Sequence, residues 1–176
     1  MQPQSSDLRC SVYIATSLDG YIARRDGRLD WLAAVQQPGE DYGYARFAET
    51  VDVVVLGRGT YDTVQGFDAW PYSGKRVIVL THRPADPRHG EELFGGDPAE
   101  LVARLAADGH RRAYVDGGRV IQQFLAAGLL DDLTISIIPV VLGGGIPLFE
   151  GSERALALDG VEAFPSGLVQ LRYHPR

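Results

Sequence analysis

The chain has 176 residues, with 17 basic and 23 acidic side chains and a formal net charge of −6. That length fits one domain, and 45% hydrophobic residues suffice to bury a core without disulfide or metal staples. The acid excess argues against a general nucleic-acid or anionic-membrane binder, and the single cysteine, Cys10, makes neither an internal disulfide nor a Cys-rich zinc site.

Residues 1–8 read as a flexible tail, leaving residues 9–176 as one domain. The start is polar and lacks the apolar segment of a signal peptide, so the expected location is the cytoplasm. Cys10–Ser17 is rich in small and β-branched residues and reads as a strand. Asp19-Gly20 marks a turn, Tyr21–Ala23 a short extended return, and Asp26-Gly27 a second turn before Asp30-Trp31-Leu32. After the break at Pro38-Gly39, Asp41–Thr50 reads as a helix.

Val53–Leu56 is a continuous apolar run, the pattern of a strand buried on both faces. A short helix is predicted to start near Thr60. Arg76–Leu80 is the next buried strand, and Thr81–Asp97 a Pro- and Gly-rich mobile loop. Asp97-Pro98 opens a helix that runs to about Asp108-Gly109. Arg112–Val115 is a third buried strand, Val120–Ala127 a helix, and Leu133–Val141 a fourth strand. Val161–Phe164 and Leu168–Tyr173 form an antiparallel hairpin across Pro165-Ser166-Gly167. The order predicts an α/β fold, a three-layer α/β/α sandwich whose mostly parallel central sheet ends in an antiparallel C-terminal hairpin.

The four histidines, His82, His89, His110 and His174, share no ligand spacing, so no metal site is expected. The serine-hydrolase elbow, the Walker motif and the zinc-deaminase motif are absent. Gly57-Arg58-Gly59 follows a strand, but Asp62 stands where G-x-G-x-x-G needs glycine. A strand, glycine, helix-start sequence occurs at Gly57–Thr60 and again at Gly117–Val120, each with an arginine, Arg58 or Arg119. Such turns either present backbone N–H groups to a phosphate or merely allow tight β-to-α connections.

Four segments together resemble the dihydrofolate-reductase-like superfamily, and within it the reductase domain of the bifunctional riboflavin-pathway deaminase/reductase. They are Ser11–Ala23, Val54–Tyr61, Val77–Pro84 and Tyr114–Leu125, the last continuing to the Gly143-Gly144-Gly145 loop. The resemblance implies an NADPH-dependent reductase. The backbone of Ala15 and Ile22 would hold the nicotinamide carboxamide. Gly57, Arg58 and Thr60 match the segment at the cofactor phosphates. Thr81, His82 and Arg83 match the loop for the adenosine 2′-phosphate. Gly117, Gly118, Arg119 and Val120 match the turn under the pyrophosphate.

On the substrate side, Asp41 stands where folate reducers carry their ring-binding acid, or it is a helix cap. Asp30 is its rival, and Trp31 either stacks on a heterocycle or packs in a dimer seam. Asp116 stands before two glycines, where the riboflavin branch usually has glutamate. Asp116 and Asp41 are the expected catalytic acids, and Asp30, Trp31, Asp41 and Asp116 the expected substrate contacts. The implied substrate is a pyrimidine- or pterin-type heterocycle, first among them 5-amino-6-(5-phosphoribosylamino)uracil. Alternatives are dihydrofolate or pterin reduction, or a non-catalytic NADPH binder. Related reductases are often homodimers, so a homodimer is expected.

Overall fold

Apolar runs set the strands, and helices cover both faces of the sheet they build. In the computed structural model, which describes residues 7–176, β1 (Arg9–Ser17) and β2 (Tyr21–Ala23) precede a 3-10 helix (Asp30–Val35) and α1 (Tyr44–Glu49). β3 (Val53–Gly57) feeds α2 (Arg58–Val64), followed by β4 (Arg76–Leu80) and β5 (Glu92–Phe94). Then come α3 (Pro98–Ala107), β6 (Arg112–Asp116) and α4 (Gly118–Ala126). The chain ends with β7 (Asp132–Ile138), β8 (Ile146–Pro147), β9 (Leu156–Ala163) and β10 (Val169–Pro175).

Eight strands form one sheet in the order β5-β4-β3-β6-β1-β7-β10-β9. From β5 to β7 all neighbours run parallel, and the β9–β10 hairpin lies antiparallel against β7. Successive residues of β3 point to opposite faces. Val53 and Val55 join Leu101 and Leu105 of α3 and Ile121 and Phe124 of α4. Val54 and Leu56 join Phe47 of α1 and Tyr61 of α2 on the other side. This is the three-layer arrangement the sequence predicts.

The helices obey local rules. In α3 the Asp97 carboxylate accepts from the Ala99 N–H at 2.7 Å, with Pro98 in the first turn. In α4 the apolar residues Val120, Ile121, Phe124 and Leu125 fall on one stripe and are buried. Phe124 is fully buried, so truncating it to alanine would cost about 3–5 kcal/mol. Among the described residues no helix is long and apolar enough to cross a membrane.

Several elements differ from the sequence reading. The helix expected over Asp41–Thr50 starts at Tyr44, because Tyr42 and Gly43 both adopt positive φ, 55° and 86°. The Thr81–Asp97 loop contains β5, a short edge strand pinned by Glu92 to Arg76 at 2.7 Å and to Arg104 at 2.8 Å. β7 stops at Ile138, since Pro139 lacks the N–H that would continue the ladder. The glycine loop after it returns as β8, antiparallel to β2. Leu8, expected in the tail, is 2% exposed and packs in the core, while residues 1–6 of that tail lie outside the described residues. Cys10 is buried, and burial pushes its thiol up to about 12, which leaves it inert near neutral pH.

Candidate active site

The sheet opens at one place. β1 pairs with β6 only from Arg9 to Ser11, the last opposite Tyr114, whereas it stays paired with β7 as far as Ser17 opposite Ile138. Beyond Ser11 a gap therefore lies between two central parallel strands, at their C-terminal ends. Tyr114 Oη donates to the Tyr13 carbonyl across this gap at 3.0 Å. Parallel-strand alternation turns the Ala15 backbone N–H and C=O to the same side as that carbonyl, where β6 no longer pairs. Ala15 thus presents a free donor–acceptor pair, which suits a carboxamide.

The gap adjoins a cleft of about 560 Å³ between β1, the 3-10 helix and α1. Tyr13, Tyr44 and Tyr114 form an aromatic wall, and Ile138 and Leu168 face the same space. Tyr13 stacks on Phe47 with centroids 4.7 Å apart, and Phe47 meets Tyr114 edge-on at 5.2 Å. Gln170 fixes this wall from behind, donating to Tyr13 Oη at 3.1 Å and to Ser136 Oγ at 3.2 Å.

Asp116 ends β6, level with Leu56 of β3, beside the wall. Burial pushes its carboxyl up to about 6, against the pull of the nearby Tyr114 hydroxyl, the Gly117 N–H and Tyr72. Tyr72 Oη lies 3.4 Å from Asp116 Oδ2. Burial first, and the Asp116 charge next, raise the hydroxyls of Tyr44, Tyr72 and Tyr114. The three rings keep their protons and surround a carboxyl that exchanges its own near neutral pH. Tyr44, Tyr72 and Tyr114 come from three distant parts of the chain, so no local motif announces them.

The two glycine turns lie side by side at the ends of β3 and β6. A Cβ on Gly117 would stand 2.7 Å from Thr60 Oγ1, and one on Gly57 would stand 3.1 Å from Val120 Cγ2. Gly117 has a φ of 110°, which glycine adopts freely. α4 starts with no side-chain cap and no acid in its first turn, so no side chain of that turn competes with an anion for its leading N–H groups. Gly118 is excluded from a side chain by protein, not by space kept for a ligand. Its Cβ would stand 2.9 Å from the Pro147 carbonyl and 3.1 Å from Ile22 Cδ1.

The expected phosphate contacts divide. Arg58 is committed, with Nε 2.8 Å from Asp62 Oδ1 and Nη1 donating to the Pro84 carbonyl at 2.7 Å. It anchors the loop after β4. Thr81 Oγ1 accepts from the Arg83 N–H at 3.1 Å and fixes the turn that carries Arg83. His82 and Arg83 are exposed there, as is Arg119 at the start of α4. The Arg83 and Arg119 guanidinium groups have no partner among the described residues. An uncapped helix start, adjoining turns and these two arginines fit a dinucleotide carrying a further phosphate.

The substrate-side candidates separate more sharply. Asp41 accepts from the Gly43 and Ala45 N–H groups at 2.9 Å each. The Ala45 bond and then the Gly43 bond hold its carboxyl below the ordinary range. It lies at the cleft edge as a cap for α1. Asp30 lies on the same edge, bound by Arg24 through two bonds of 2.6 and 3.0 Å, and that pairing lowers its pKa. Trp31 is 4% exposed among Val35, Ile138 and Leu168. It therefore neither stacks on a ligand nor serves a seam between subunits, because the 3-10 helix turns it inward.

The fold and the opened sheet define a dihydrofolate-reductase-like domain. The chain belongs to the RibD C-terminal domain family, whose model matches residues 11–170. It is 39% identical to an uncharacterized protein, YwjB, of Bacillus subtilis (strain 168), over 92% of this chain and 95% of that protein. It is 32% identical to the dihydrofolate reductase HdrB of Haloferax volcanii, over 68% of this chain and 62% of that protein. A solved structure of a provisionally named riboflavin biosynthesis protein from Shewanella sp. PV-4 superposes with a TM-score of 0.89 at 40% identity, covering 96% of this chain and 99% of that one. A Thermotoga maritima deaminase/5-amino-6-(5-phosphoribosylamino)uracil reductase shares the fold, with a TM-score of 0.74 at 15% identity over 96% of this chain and 56% of that one.

Proposed function

We propose that the protein is an NADPH-dependent reductase acting on a pyrimidine- or pterin-type heterocycle. The observation that carries this reading is Asp116, a carboxyl with its pKa raised to about 6, at the strand end beside the opened sheet. NADPH, when bound, supplies a hydride for a C=N or masked aldehyde carbon. Ala15 would hold the carboxamide through its free backbone pair. The Gly57–Thr60 and Gly117–Val120 turns would hold the phosphates, and Arg83 and Arg119 the remaining anionic oxygens. Asp116 would hydrogen-bond the substrate and return a proton to it, with Tyr72 and Tyr114 fixing its orientation.

The 5-amino-6-(5-phosphoribosylamino)uracil reductase named for the Thermotoga neighbour and the dihydrofolate reductase named for the Haloferax relative both suit this chemistry. A cytoplasmic homodimer belongs to the same reading. With Trp31 and β7 inside the subunit, its seam would be β9, where Leu158 and Val161 are more than half exposed. The test is a titration with NADPH and NADH followed by turnover against uracil and pterin compounds. Binding of NADPH with oxidation by at least one heterocycle is expected. Failure to bind NADPH refutes the reading.

A further inference from the structure

Residues 81–91 join β4 to β5 without helix or strand. The charged side chains Arg83, Asp86 and Arg88 of this loop are exposed, whereas Glu91 is 6% exposed. A carboxylate that leaves water needs partners for its oxygens. Glu91 Oε2 accepts from the His89 N–H at 2.7 Å, and Oε1 accepts from the Tyr61 hydroxyl at 3.2 Å. Burial pushes this carboxyl up, but its own N–H, the His89 N–H and the Tyr61 hydroxyl hold it below the ordinary range, so it is charged at neutral pH.

The partners on the other side belong to α2. Tyr61 is fully buried, and Gln65 Nε2 donates to its hydroxyl, which leaves the hydroxyl proton for Glu91. Gln65 Nε2 also meets the Asp86 carbonyl at 3.3 Å. Arg58 Nη1 donates to the Arg83 and Pro84 carbonyls at 3.2 and 2.7 Å. Arg58, Tyr61 and Gln65 are spaced i, i+3 and i+7 along α2 and its C-cap, so they fall on one stripe of the helix. That stripe clasps the loop near its start, at its middle and at its end, and the same helix begins at the Gly57 turn.

The clasp bears on Arg83. Its guanidinium has no partner among the described residues, so its backbone sets where it stands, through the Arg58 bond to its carbonyl and the Thr81 Oγ1 bond to its N–H. A cation already in place gives an anion a full charge-assisted pair, whereas a loop that must be ordered on binding subtracts that cost from the affinity.

We propose that Glu91 is a positioning residue for cofactor selectivity, which locks the far end of this loop to Tyr61 of α2 and so keeps Arg83 in place for an adenosine 2′-phosphate. The inference rests on the reading of this loop as the 2′-phosphate site of an NADPH-dependent reductase. Glu91 acts through Arg83, and NADH, which lacks the phosphate, is indifferent to it.

The experiment titrates NADPH and NADH into the parent, Glu91→Gln, Tyr61→Phe, Arg83→Ala and the Glu91→Gln/Arg83→Ala double variant. Amide hydrogen exchange over residues 82–90 is measured without cofactor. Glu91→Gln keeps the shape but turns one of two acceptors into a donor, and Tyr61→Phe removes the hydroxyl bond from the helix side. Each is expected to lower NADPH affinity by about five- to tenfold, to change NADH affinity by less than about twofold, and to speed exchange of the loop amides. In the Arg83→Ala background, Glu91→Gln is expected to leave the NADPH-to-NADH ratio where it stands. An unchanged ratio in both single variants overturns the inference, as do unchanged loop exchange, equal losses for both cofactors, or a further drop in the ratio on top of Arg83→Ala. A parent that binds the two cofactors alike, or an Arg83→Ala protein that keeps the parent's preference, refutes instead the reading of the loop as the 2′-phosphate site, and the inference falls with it.

Discussion

Replacing Asp116 by asparagine probes stability and chemistry together. The rise of its carboxyl from an ordinary 3.8 to about 6 corresponds to about 3 kcal/mol spent on keeping it ionised in the folded protein. The sign follows from proton uptake. Between those two values the folded state keeps a proton that the unfolded state has released, so stability falls as pH rises through the window. Above about pH 6.5 the full cost is present, and below about pH 3.5 it is absent. Carboxylates with depressed values act the other way, for example Asp19, which the Ser17 hydroxyl and the Leu142 and Gly143 N–H groups hold at about 2. They are common to both proteins and cancel in the difference.

Asp116→Asn is therefore expected to be more stable than the parent near neutral pH, by about 1–3 kcal/mol, with the advantage vanishing towards about pH 4. Turnover is expected to drop roughly 100-fold, with NADPH affinity little changed, because an amide cannot exchange the proton. Denaturant unfolding across this pH range, paired with steady-state kinetics on the best heterocycle, reads both effects. An identical pH dependence of stability in the two proteins would refute the buried-carboxyl argument, and undiminished turnover would remove Asp116 from the chemistry.

Three further substitutions test other parts of the account. Arg83→Ala should cut the preference for NADPH over NADH by about tenfold and leave NADH binding nearly unchanged, the usual scale of one charge-assisted pair. Equal losses for both cofactors would show that Arg83 does not meet the 2′-phosphate. Gly118→Val should lower the melting temperature as well as weaken cofactor binding, since its side chain drives into the Pro147 carbonyl. A fully stable Gly118→Val protein would contradict that packing. Trp31→Phe should change stability by less than about 1.5 kcal/mol, because the lost volume is offset by removing an indole N–H that has no acceptor. A loss above about 3 kcal/mol in chemical unfolding would show that the N–H is satisfied.

The legible parts of this sequence are those with a local physical signal. Val53–Leu56 and Arg76–Leu80 are apolar without interruption, and both are interior strands. Asp97-Pro98 carries its cap and its helix start in adjacent residues. β5 was not legible, because Glu92-Leu93-Phe94 is three residues long and is held by charge contacts with Arg76 and Arg104 from other elements. β8 has two residues and exists through its pairing with β2.

The site divides in the same way. Asp116 and the two glycine turns stand where strands end, which sequence can locate. Burial raises the Asp116 carboxyl, and the tyrosines around it, Tyr44, Tyr72 and Tyr114, are brought together only by the tertiary fold. Arg58 and Trp31 looked available in the sequence. The structure uses one to anchor a loop and the other to fill a core.

The central claim is that hydride passes from NADPH to a C=N or masked aldehyde carbon of a substrate held beside Asp116 in the opened sheet. The direct measurement is transfer of deuterium from NADPH carrying deuterium at both hydrogens of nicotinamide C4, with the reduced product analysed by mass spectrometry. The account predicts one carbon-bound deuterium in the product, retained in ordinary water and formed far more slowly by Asp116→Asn. Product without the label, or label delivered equally fast by the variant, would contradict it.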